Sequence, residues 1–462
     1  MFNKILIANR GEIAVRIIKT AKKLGIKTVA VCSTADKDAL HVKMADEHVC
    51  IGDPAPTSSY LNIQAILNAA IEKKVDAIHP GYGFLSENPD FSDKVNEAGM
   101  IFIGPSKFAS NTMGNKTTAR KHVSAASVPV VPGTEGIKSV HGVYEFIEEY
   151  GLPIMIKAAS GGGGIGMKMV ELKEQVEKYL EEAQNRAGQA FGDATVYIEK
   201  VVDNPHHIEI QIFADNFGNT IHIFDRECSV QRRHQKVIEE SPSPFINIDK
   251  VEEMGKSAVE AAKSVEYSNA GTVEFLVDKN KKHYFLEMNT RLQVEHPVTE
   301  MTTGLDLVEL QLRVAAGEML ALKQEDIKRK GHAIECRIYA EDPLRFFPSP
   351  GLLTKYIEPQ GENIRVDSGV VEGFTVPMYY DPMLAKLIVW GENRDKAIDR
   401  MKFALDNYII EGIKTNIPFL KDMMNFDDFV KGQYDTKIIE KYLKMKKEEK
   451  KRLKELKKKG GK

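Results

Sequence analysis

The chain has 462 residues, of which 42% are apolar and 28% are charged, and its formal net charge is −2. This length exceeds what one hydrophobic core usually holds, and the composition is that of a folded chain, so we expect two or three packed domains. The small net charge gives no general attraction to nucleic acid or to an anionic membrane, and nowhere do eighteen apolar residues run together, so we expect neither partner.

The four cysteines lie far apart in the sequence, at Cys32, Cys50, Cys228 and Cys336. This spacing is typical of neither a zinc site nor a dense disulfide framework, and we interpret Cys228 as a buried free thiol. The apolar run near the N-terminus is too short for the core of a signal peptide. Together these features predict a cytoplasmic protein.

Short β-branched runs alternate with helical patterns in the first hundred residues. The predicted strands are Lys4–Ala8, Lys27–Cys32, Val75–His79 and Met100–Gly104. Within Gly11–Leu24 the apolar residues repeat at helical spacing, and such alternation of strand and helix predicts a parallel sheet. The first strand-to-helix turn, Ala8–Glu12, has one glycine where a dinucleotide-binding turn needs three, which argues against a dehydrogenase.

A glycine-rich segment, residues 159–166, follows the predicted strand Pro153–Ala158. Glycines allow successive backbone N–H groups to converge on phosphate oxygens, so the segment predicts phosphate binding, with a flexible surface loop as the alternative. It is not a Walker A loop, because no Gly-Lys-Ser or Gly-Lys-Thr follows. The next tripeptide, Met167–Met169, resembles a biotin-attachment site. It begins a strand instead of occupying a hairpin turn, and we interpret it as the core of a small lid.

The following strands are joined by tight turns, which indicates antiparallel hairpins. In one of them, a four-residue loop over Lys279–Lys282 places Asp278 opposite His283. Counting outward then places Glu274 opposite Glu287. Two opposed carboxylates repel unless a cation lies between them, and Mg²⁺ that bridges nucleotide phosphates uses one or two carboxylates. The hairpin therefore predicts a Mg²⁺ or Mn²⁺ site, with an exposed acidic face as the alternative.

If the second strand of this hairpin stays extended to His296, its polar side chains share one face and form one continuous site. These side chains are Glu287, Asn289, Arg291, Gln293 and Glu295. His207, Glu209 and Gln211 also alternate with isoleucines, a pattern equally typical of a solvent face and of a site wall. The segment Cys228–Lys236 gathers cationic and amide groups without aromatic residues between them, which favours an anion-binding loop over a nucleic-acid surface.

Four segments resemble the biotin carboxylases, the ATP-grasp component of acetyl-CoA, pyruvate and related carboxylases. They are Ile7–Ala14, His79–Phe84, Glu287–Pro297 and Tyr380–Met383. The resemblance implies an α/β fold followed by α+β, in three domains. These are an N-terminal parallel-sheet (pre-ATP-grasp) domain at 1–114, an ATP-grasp domain at 115–334 with a mobile lid at about 131–201, and a C-terminal mixed α+β biotin carboxylase domain at 335–445. The Lys-rich tail, 446–462, lies outside the family pattern, and we interpret it as a solvated or frayed helix.

The resemblance also implies a role for individual residues. The positions that match the nucleotide site are Lys116, Lys157, Gly163, Gly164, Glu199, Lys200, Val202, His207 and His234. The positions that match the metal site are Glu274, Glu287 and Asn289, in agreement with the hairpin count. The positions that match the bicarbonate site are Lys236, Arg291, Gln293 and Val294. Glu295 matches the general base, and Arg337 matches the residue that steadies the biotin enolate.

The activity implied by the resemblance is carboxylation of biotin by MgATP and bicarbonate, through carboxyphosphate, giving ADP and phosphate. Glu295 would take the bicarbonate proton, and Arg337 would stabilise the biotin anion that captures CO₂. The resemblance further implies a homodimer that works with a separate biotin carboxyl carrier protein and a carboxyltransferase subunit. The chain itself does not specify the final carboxyl acceptor.

Two alternatives remain open. Another ATP-grasp carboxylate ligase would share the loop, the lysines and the metal pair, but Arg291–His296 and Arg337 argue against it. A non-catalytic nucleotide-binding regulatory subunit would not need Glu295 or both metal carboxylates.

One residue departs from the family pattern: Ile165 stands where the glycine loop usually carries Arg or Lys, so the loop has one cation fewer.

Overall fold

The structure is a computed structural model, and it describes residues 1–134, 136–137, 139–158, 167–191, 194–233 and 235–459. The predicted phosphate-binding segment, residues 159–166 with Gly163, Gly164 and Ile165, lies outside the described ranges, and so does His234. Within those ranges, no helix is both long and apolar enough to cross a bilayer.

The N-terminal region alternates strands and helices. Its elements are β1 (Lys4–Ile7), α1 (Gly11–Lys23), β2 (Lys27–Ser33), α2 (Leu40–Met44), β3 (Glu47–Gly52), α3 (Ile63–Glu72), β4 (Ala77–His79), α4 (Pro89–Glu97), β5 (Ile101–Phe102) and α5 (Lys107–Gly114). The strands form a parallel sheet in the order β3-β2-β1-β4-β5, which confirms the predicted fold class. Cys32 and Cys50, far apart in the sequence, are directly opposed on β2 and β3 as free thiols.

The lid is a small unit with its own hydrophobic core. Its elements are α7 (Val140–Tyr150), β6 (Ile154–Ala158), β7 (Lys168–Val170), α8 (Val176–Phe191) and β8 (Val196–Lys200), preceded by α6 (Lys116–Ala125). The strands pair antiparallel in the order β7-β6-β8, and the core includes Ile154, Ile156 and Ile198. Lys168 and Met169 lie within β7 and pair with β6, and Met167 precedes the strand. Met169 is 44% exposed, so the interpretation of the tripeptide as lid core is wrong, because this side chain faces away from the lid's hydrophobic cluster.

The rest of the second region supplies long antiparallel strands. Its elements are β9 (His206–Ala214), β10 (Thr220–Arg232), β11 (Gln235–Ser241), α9 (Ile248–Lys263), β12 (Asn269–Val277), β13 (His283–Asn289), α10 (His296–Thr303) and α11 (Leu307–Ala315). Every side chain of β9 is buried, because α9 and α11 cover one face of the sheet and the polar residues of the site line the other.

The third region adds strands and helices of mixed type. Its elements are β14 (His332–Tyr339), β15 (Gly351–Leu352), β16 (Lys355–Ile357), β17 (Ile364–Ser368), β18 (Thr375–Val376), β19 (Met383–Gly391), α12 (Arg394–Asp406), β20 (Ile409–Glu411), α13 (Ile417–Met424), α14 (Asp427–Val430) and α15 (Ile438–Lys459). One eight-stranded antiparallel sheet, β13-β12-β9-β10-β11-β14-β19-β17, runs through the second and third regions. The division predicted between residues 334 and 335 falls within β14.

Candidate active site

A cleft of ≈ 1840 Å³ opens between the start of α1, the lid and the eight-stranded sheet. The predicted site residues that line it are Lys116, Lys157, Glu199, Lys200, Val202, His207, Lys236, Glu274, Glu287, Asn289, Arg291, Gln293, Val294 and Arg337. Glu295 is fully buried directly behind this wall, where it contacts Lys236 and Arg337. The fold therefore brings the predicted residues of the described chain together around one cavity.

The β12-β13 hairpin places Glu274 opposite Glu287, as predicted, although its loop has a different register. His283 faces Val277 rather than Asp278, so the loop is one residue longer than predicted. The Asp278 carboxylate instead accepts backbone N–H groups within the loop. A β-bulge directly after Glu274 then shifts the pairing by one residue, and the two deviations cancel.

The predicted extension of β13 is wrong. Regular strand structure ends at Asn289, and α10 begins at His296 with Glu295 at its N-cap. The chain bends between them, yet its polar side chains converge on one guanidinium. Arg291 donates to Asn289 Oδ1 at 3.0 Å and to Gln293 Oε1 at 3.0 Å. Hydrogen bonds to Arg291, rather than strand alternation, hold these groups on the same side.

Lys236 lies at the centre of the cleft wall, in β11 just after the turn of the β10-β11 hairpin. The segment predicted as an anion-binding loop is therefore mostly paired strand. The buried Lys236 ammonium donates to Glu209 Oε2 at 2.6 Å, to Glu274 Oε1 at 2.7 Å and to Glu295 Oε1 at 2.6 Å. Burial alone would lower the pKa of Lys236, but the three carboxylates raise it well above its usual range. All three donors of a charged ammonium are thus in use.

Glu295 is held between two cations. Its Oε1 accepts from Lys236, and its Oε2 accepts from Arg337 Nη2 at 3.0 Å. Burial alone would raise the pKa of Glu295, but the charges of Lys236 and Arg337 hold it well below its usual range. Arg337 Nε also donates to Glu239 Oε1 at 2.7 Å. The carboxylates of Glu239 and Glu295 thus fix the plane of the Arg337 guanidinium.

The alternating polar residues of β9 form a site wall and not a solvent face, because all three are buried. Arg226 donates to the Glu209 carboxylate and to Gln211 Oε1 at 2.7 Å. His207 Nε2 lies 2.8 Å from Glu274 Oε2. Burial lowers the pKa of His207, but the Glu274 charge outweighs burial and raises it above its usual value. These contacts place a further layer of charge behind Lys236.

The Glu274–Glu287 pair has the hard oxygen donors that Mg²⁺ prefers. Burial would raise the pKa of Glu274, but Lys236 and His207 hold it well below its usual range, so this carboxylate is ionised. Glu287 is half-buried and lies 3.3 Å from Lys116 Nζ. Neighbouring side chains therefore already relieve the repulsion that was expected to require a cation. The metal prediction rests on the donor chemistry of the pair and not on that repulsion.

The lid side of the cleft carries a second group of ions. Lys157 and Glu199 form a direct ion pair, and Glu199 also accepts from Arg120 Nη1 at 2.8 Å. Lys200 Nζ donates to Leu152 O at 2.9 Å. Lys157 therefore has to share its charge between Glu199 and a phosphate if it acts in the predicted role.

The chain matches three family models in sequence order. The N-terminal domain of biotin carboxylase matches residues 1–109, the ATP-binding domain of the carbamoyl-phosphate synthase L chain matches 115–323, and the C-terminal domain of biotin carboxylase matches 335–441. Biotin carboxylase 2 of Bacillus subtilis (strain 168) is 52% identical over 444 residues, 96% of this chain and 100% of that protein. The chain belongs to the biotin carboxylases.

Other relatives agree over nearly the whole chain. A pyruvate carboxylase subunit of Methanothermobacter thermautotrophicus is 52% identical over 96% of this chain and 90% of that protein. A biotin carboxylase–beta-gamma-ATP complex from Campylobacter jejuni has a TM-score of 0.91 and 49% identity, covering 96% of this chain and 99% of that chain. The biotin carboxylase domain dimer of Hydrogenobacter thermophilus 2-oxoglutarate carboxylase, solved with MgADP, ADP and bicarbonate, has a TM-score of 0.89 and 46% identity, covering 96% and 98%. The three-domain biotin carboxylase architecture therefore holds for this chain.

Lys386 supports the site of this biotin carboxylase, and the sequence prediction missed it. It is fully buried on β19, directly between Arg337 on β14 and Asp367 on β17. Its Nζ donates to Val294 O at 2.9 Å and lies 3.3 Å from Glu12 Oε2. One ammonium therefore joins residues of all three domains at the peptide that precedes the predicted base.

A second carboxylate pair, also missed, lies behind the cleft. Glu239 on β11 is directly opposite Glu335 on β14, and both are fully buried. Neither oxygen of Glu335 has a hydrogen-bond partner within the described chain. Burial raises the pKa of Glu239 to about 7 in spite of Arg337. Burial also raises the pKa of Glu335 well above its usual range in spite of Lys386, so the protonated form of this carboxyl is favoured.

Replacing Glu335 with Gln is expected to flatten the pH dependence of stability. The folded pKa of Glu335 lies above its unfolded value, so the stabilisation by its proton is complete below about pH 4.5 and is lost as the pH rises toward the folded pKa. Between these pH values the free energy of unfolding of the wild-type chain falls by up to about 1.4 kcal/mol per pH unit through this group. The free energy of unfolding of Glu335→Gln does not show this fall. Thermal unfolding at a series of pH values measures the difference. The exposed control Glu97→Gln should follow wild type, and a Glu335→Gln curve parallel to wild type would contradict the prediction.

Proposed function

We propose that the chain catalyses the ATP-dependent carboxylation of biotin, using bicarbonate and releasing ADP and phosphate. The observation that carries the proposal is the junction of Lys236, Glu295 and Arg337, an ionised carboxylate held between two cations at the wall of a large cleft. Such a junction can bind an anion, take its proton and stabilise a second anion. Membership of the family, and the MgADP and bicarbonate complex of a relative, support the same reaction.

Bicarbonate is proposed to bind in the cleft that both Lys236 and Arg291 line, beside Gln293 and the backbone at Val294. Arg291 is held from behind, because its Nε donates to Glu87 Oε2 at 2.8 Å, while 18% of its side chain remains exposed toward the cleft. Since all three Lys236 donors already bind carboxylates, an incoming anion must share that ammonium with them. This sharing brings bicarbonate next to the proposed base.

Glu295 is proposed as the general base. With its pKa held low by Lys236 and Arg337, Glu295 is ionised but is a weak base. A bicarbonate anion bound at Lys236 adds a like charge beside Glu295 and competes for its cations, and both effects raise the pKa of Glu295. Binding of the substrate therefore strengthens the base that deprotonates it.

The deprotonated bicarbonate then attacks the γ-phosphoryl group of ATP to give carboxyphosphate and ADP. Charge on the phosphates is proposed to be neutralised by Lys116, by Lys157 and by the loop at Gly163 and Gly164. Glu199, Lys200 and Val202 are proposed to bind adenine, with His207 and His234 nearby. Glu274, Glu287 and Asn289 would hold Mg²⁺, which supplies further neutralisation of phosphate charge.

Carboxyphosphate breaks down to CO₂ and phosphate, and the phosphate takes the ureido N–H proton of biotin. The biotin anion then captures CO₂ beside Arg337. The guanidinium suits this role because Glu239 and Glu295 fix its plane while its own pKa stays well above its usual range, against the effect of burial. Its charge is therefore present and oriented before biotin arrives.

The biotin is proposed to arrive on a separate biotin carboxyl carrier protein, and the carboxyl group to leave through a carboxyltransferase subunit. One relative is a subunit of a pyruvate carboxylase, which supports a function within a multi-subunit assembly. Another relative was solved as a dimer, which supports a homodimer.

We further propose that the assembly acts in the cytoplasm, and that the domains divide at 1–114, 115–334 and 335–445, as the resemblance implies.

Phosphate release from MgATP by the purified chain tests the proposed reaction. It is measured with and without bicarbonate, and with and without free biotin. Turnover that requires bicarbonate and rises with biotin is the expected result. ATP hydrolysis that depends on neither bicarbonate nor biotin would overturn the proposal. Turnover with a different carboxylate would favour another ATP-grasp ligase.

Arg291→Ala is expected to raise the KM for bicarbonate by about 10–100-fold, because one charged hydrogen bond to the anion is lost. The KM for ATP should change much less. The matched control is Arg313→Ala, which removes a partly exposed arginine of α11 that pairs with Glu309 outside the cleft. Unchanged bicarbonate dependence in Arg291→Ala would remove this residue from the proposed site.

A further inference from the structure

Helix α15 begins at the rim of the cleft. The rim residues contributed by this helix and the turn before it are Thr436, Lys437, Ile439, Glu440 and Leu443. The helix then continues to Lys459, a length of 22 residues, which corresponds to about 33 Å at the usual rise of an α-helix. Its first turns therefore line the site, and the helix continues for about four turns beyond the last residue that lines it, Leu443.

The projecting part of the helix is strongly cationic, and the rest of the chain is acidic. Residues 444–462 contain eleven Lys and Arg and three Glu, which gives +8, whereas the whole chain carries −2 and residues 1–443 therefore carry −10. At physiological salt the field of such a charge extends about 8 Å into solvent. An acidic macromolecule that approaches the entrance would be attracted to this helix, whose charge is opposite in sign to the net charge of the rest of the chain.

The outer turns of α15 make few contacts with the body of the chain. Lys441 pairs with Asp428, and Lys446 pairs with Asp422 at 2.9 Å. From residue 447 to 456, the last stretch with described side chains, no ion pair joins the helix to the body. Leu453 and Leu456, one turn apart, are 52% and 55% exposed. Over this described stretch, the cations and the two exposed leucines form a surface that the body of the chain does not cover.

The chemistry of the family does not account for this segment. The last of the three family models ends at residue 441, and the proposed reaction uses none of the residues beyond it. The sequence alone predicted a solvated helix. The structure adds the origin of the helix at the cleft rim, so the cationic segment follows directly after Leu443, the last residue of the helix that lines the cleft.

We propose that residues 444–456 form a docking surface for an acidic face of the biotin carrier protein. The inference rests on the proposed function, because only a biotin-bearing macromolecule needs to approach this rim. A protein partner is favoured over nucleic acid, because exposed leucines contribute to protein contacts and no aromatic residue is present for base stacking. It is favoured over a lipid surface, because two leucines make too narrow an apolar face for an interfacial helix.

The test compares two variants that each remove four positive charges. The tail variant changes Lys447, Lys450, Lys451 and Lys454 to Gln, which preserves helix propensity. The control variant changes four exposed lysines that do not line the cleft, Lys74, Lys94, Lys256 and Lys279, to Gln. The substrates are free biotin and a biotinylated carrier domain, the latter in an acidic form and in a form whose surface carboxylates are changed to amides.

The tail variant is expected to lose about ten-fold in kcat/KM for the acidic carrier at low ionic strength, and to show a weaker salt dependence than wild type. Its kcat/KM for free biotin, and that of the control variant for both substrates, should stay unchanged. Equal losses in tail and control variants, equal losses with the amide carrier, or no loss with the acidic carrier would each overturn the docking proposal. Failure of the unaltered chain to carboxylate even free biotin would instead overturn the proposed function.

Discussion

Lys236→Met is expected to abolish bicarbonate-dependent turnover and to lower Tm by about 6–20 °C. The substitution leaves Glu209, Glu274 and Glu295 buried around an apolar side chain, each without the ammonium that it binds at 2.6–2.7 Å. Removing one partner of a buried ion pair costs about 3–5 kcal/mol, and each kcal/mol lowers the Tm of a domain of this size by about 2–4 °C. Thermal unfolding and phosphate release measure the two effects.

The loss of stability should shrink as the pH is lowered, because protonation of the three carboxylates removes the unpaired charge. Lys236→Arg is the charge-conserving comparison, and it should recover more stability than activity, since a guanidinium fork cannot reproduce three bonds to one nitrogen. Lys107→Met controls for loss of an exposed pair, with Asp93 at 2.7 Å, and should cost less than about 1 kcal/mol. A Lys236→Met protein as stable as Lys107→Met would refute the buried-charge account.

Apolar periodicity was sufficient to predict much of the fold. Strands β1 and β2 begin at the predicted residues, Lys4 and Lys27, because buried parallel strands appear as continuous β-branched runs. Strand β3 could not be predicted in this way. It lies at the sheet edge, where Ile51 is its one buried residue, and its sequence Glu47–Gly52 resembles a loop.

The site was less predictable, because its geometry depends on packing between distant segments. Glu274 faces Glu287 through a bulge that no loop count detects. The polar run after β13 converges through hydrogen bonds to Arg291, and not through the strand alternation that suggested it. Family resemblance predicts a role for the same residues without depending on local strand geometry, since it carries information about the whole fold.

Lys386 was predicted neither by the local sequence pattern nor by the family resemblance. A lone lysine within the apolar run Met383–Trp390 is a usable signal, because a lysine in a buried strand requires partners. The sequence does not say which partners those are. They come from Glu12 near the N-terminus, from Val294 and from Asp367, and only the folded chain brings them within reach of one ammonium.

Lys386→Met is expected to lower Tm by an amount similar to that for Lys236→Met, and also to raise the KM for bicarbonate by about ten-fold. The first effect follows because Glu12 and Asp367 lose a buried cation. The second follows because the Val294 carbonyl loses its donor, and this peptide is part of the proposed bicarbonate site. The structural role of Lys386 therefore predicts a lower Tm, and its positioning role predicts a higher KM for bicarbonate.

The double variant Lys386→Met/Glu12→Gln separates these roles. Burial already raises the pKa of Glu12 to about 7, with Lys386 opposing it, so a neutral Gln suits that position once the lysine is absent. Stability should therefore recover in part, since the burial of an unpaired charge is avoided. The raised KM for bicarbonate should persist, because Gln at position 12 restores no hydrogen bond to Val294. Recovery of both Tm and KM would mean that Lys386 stabilises the domain junction without positioning the bicarbonate site.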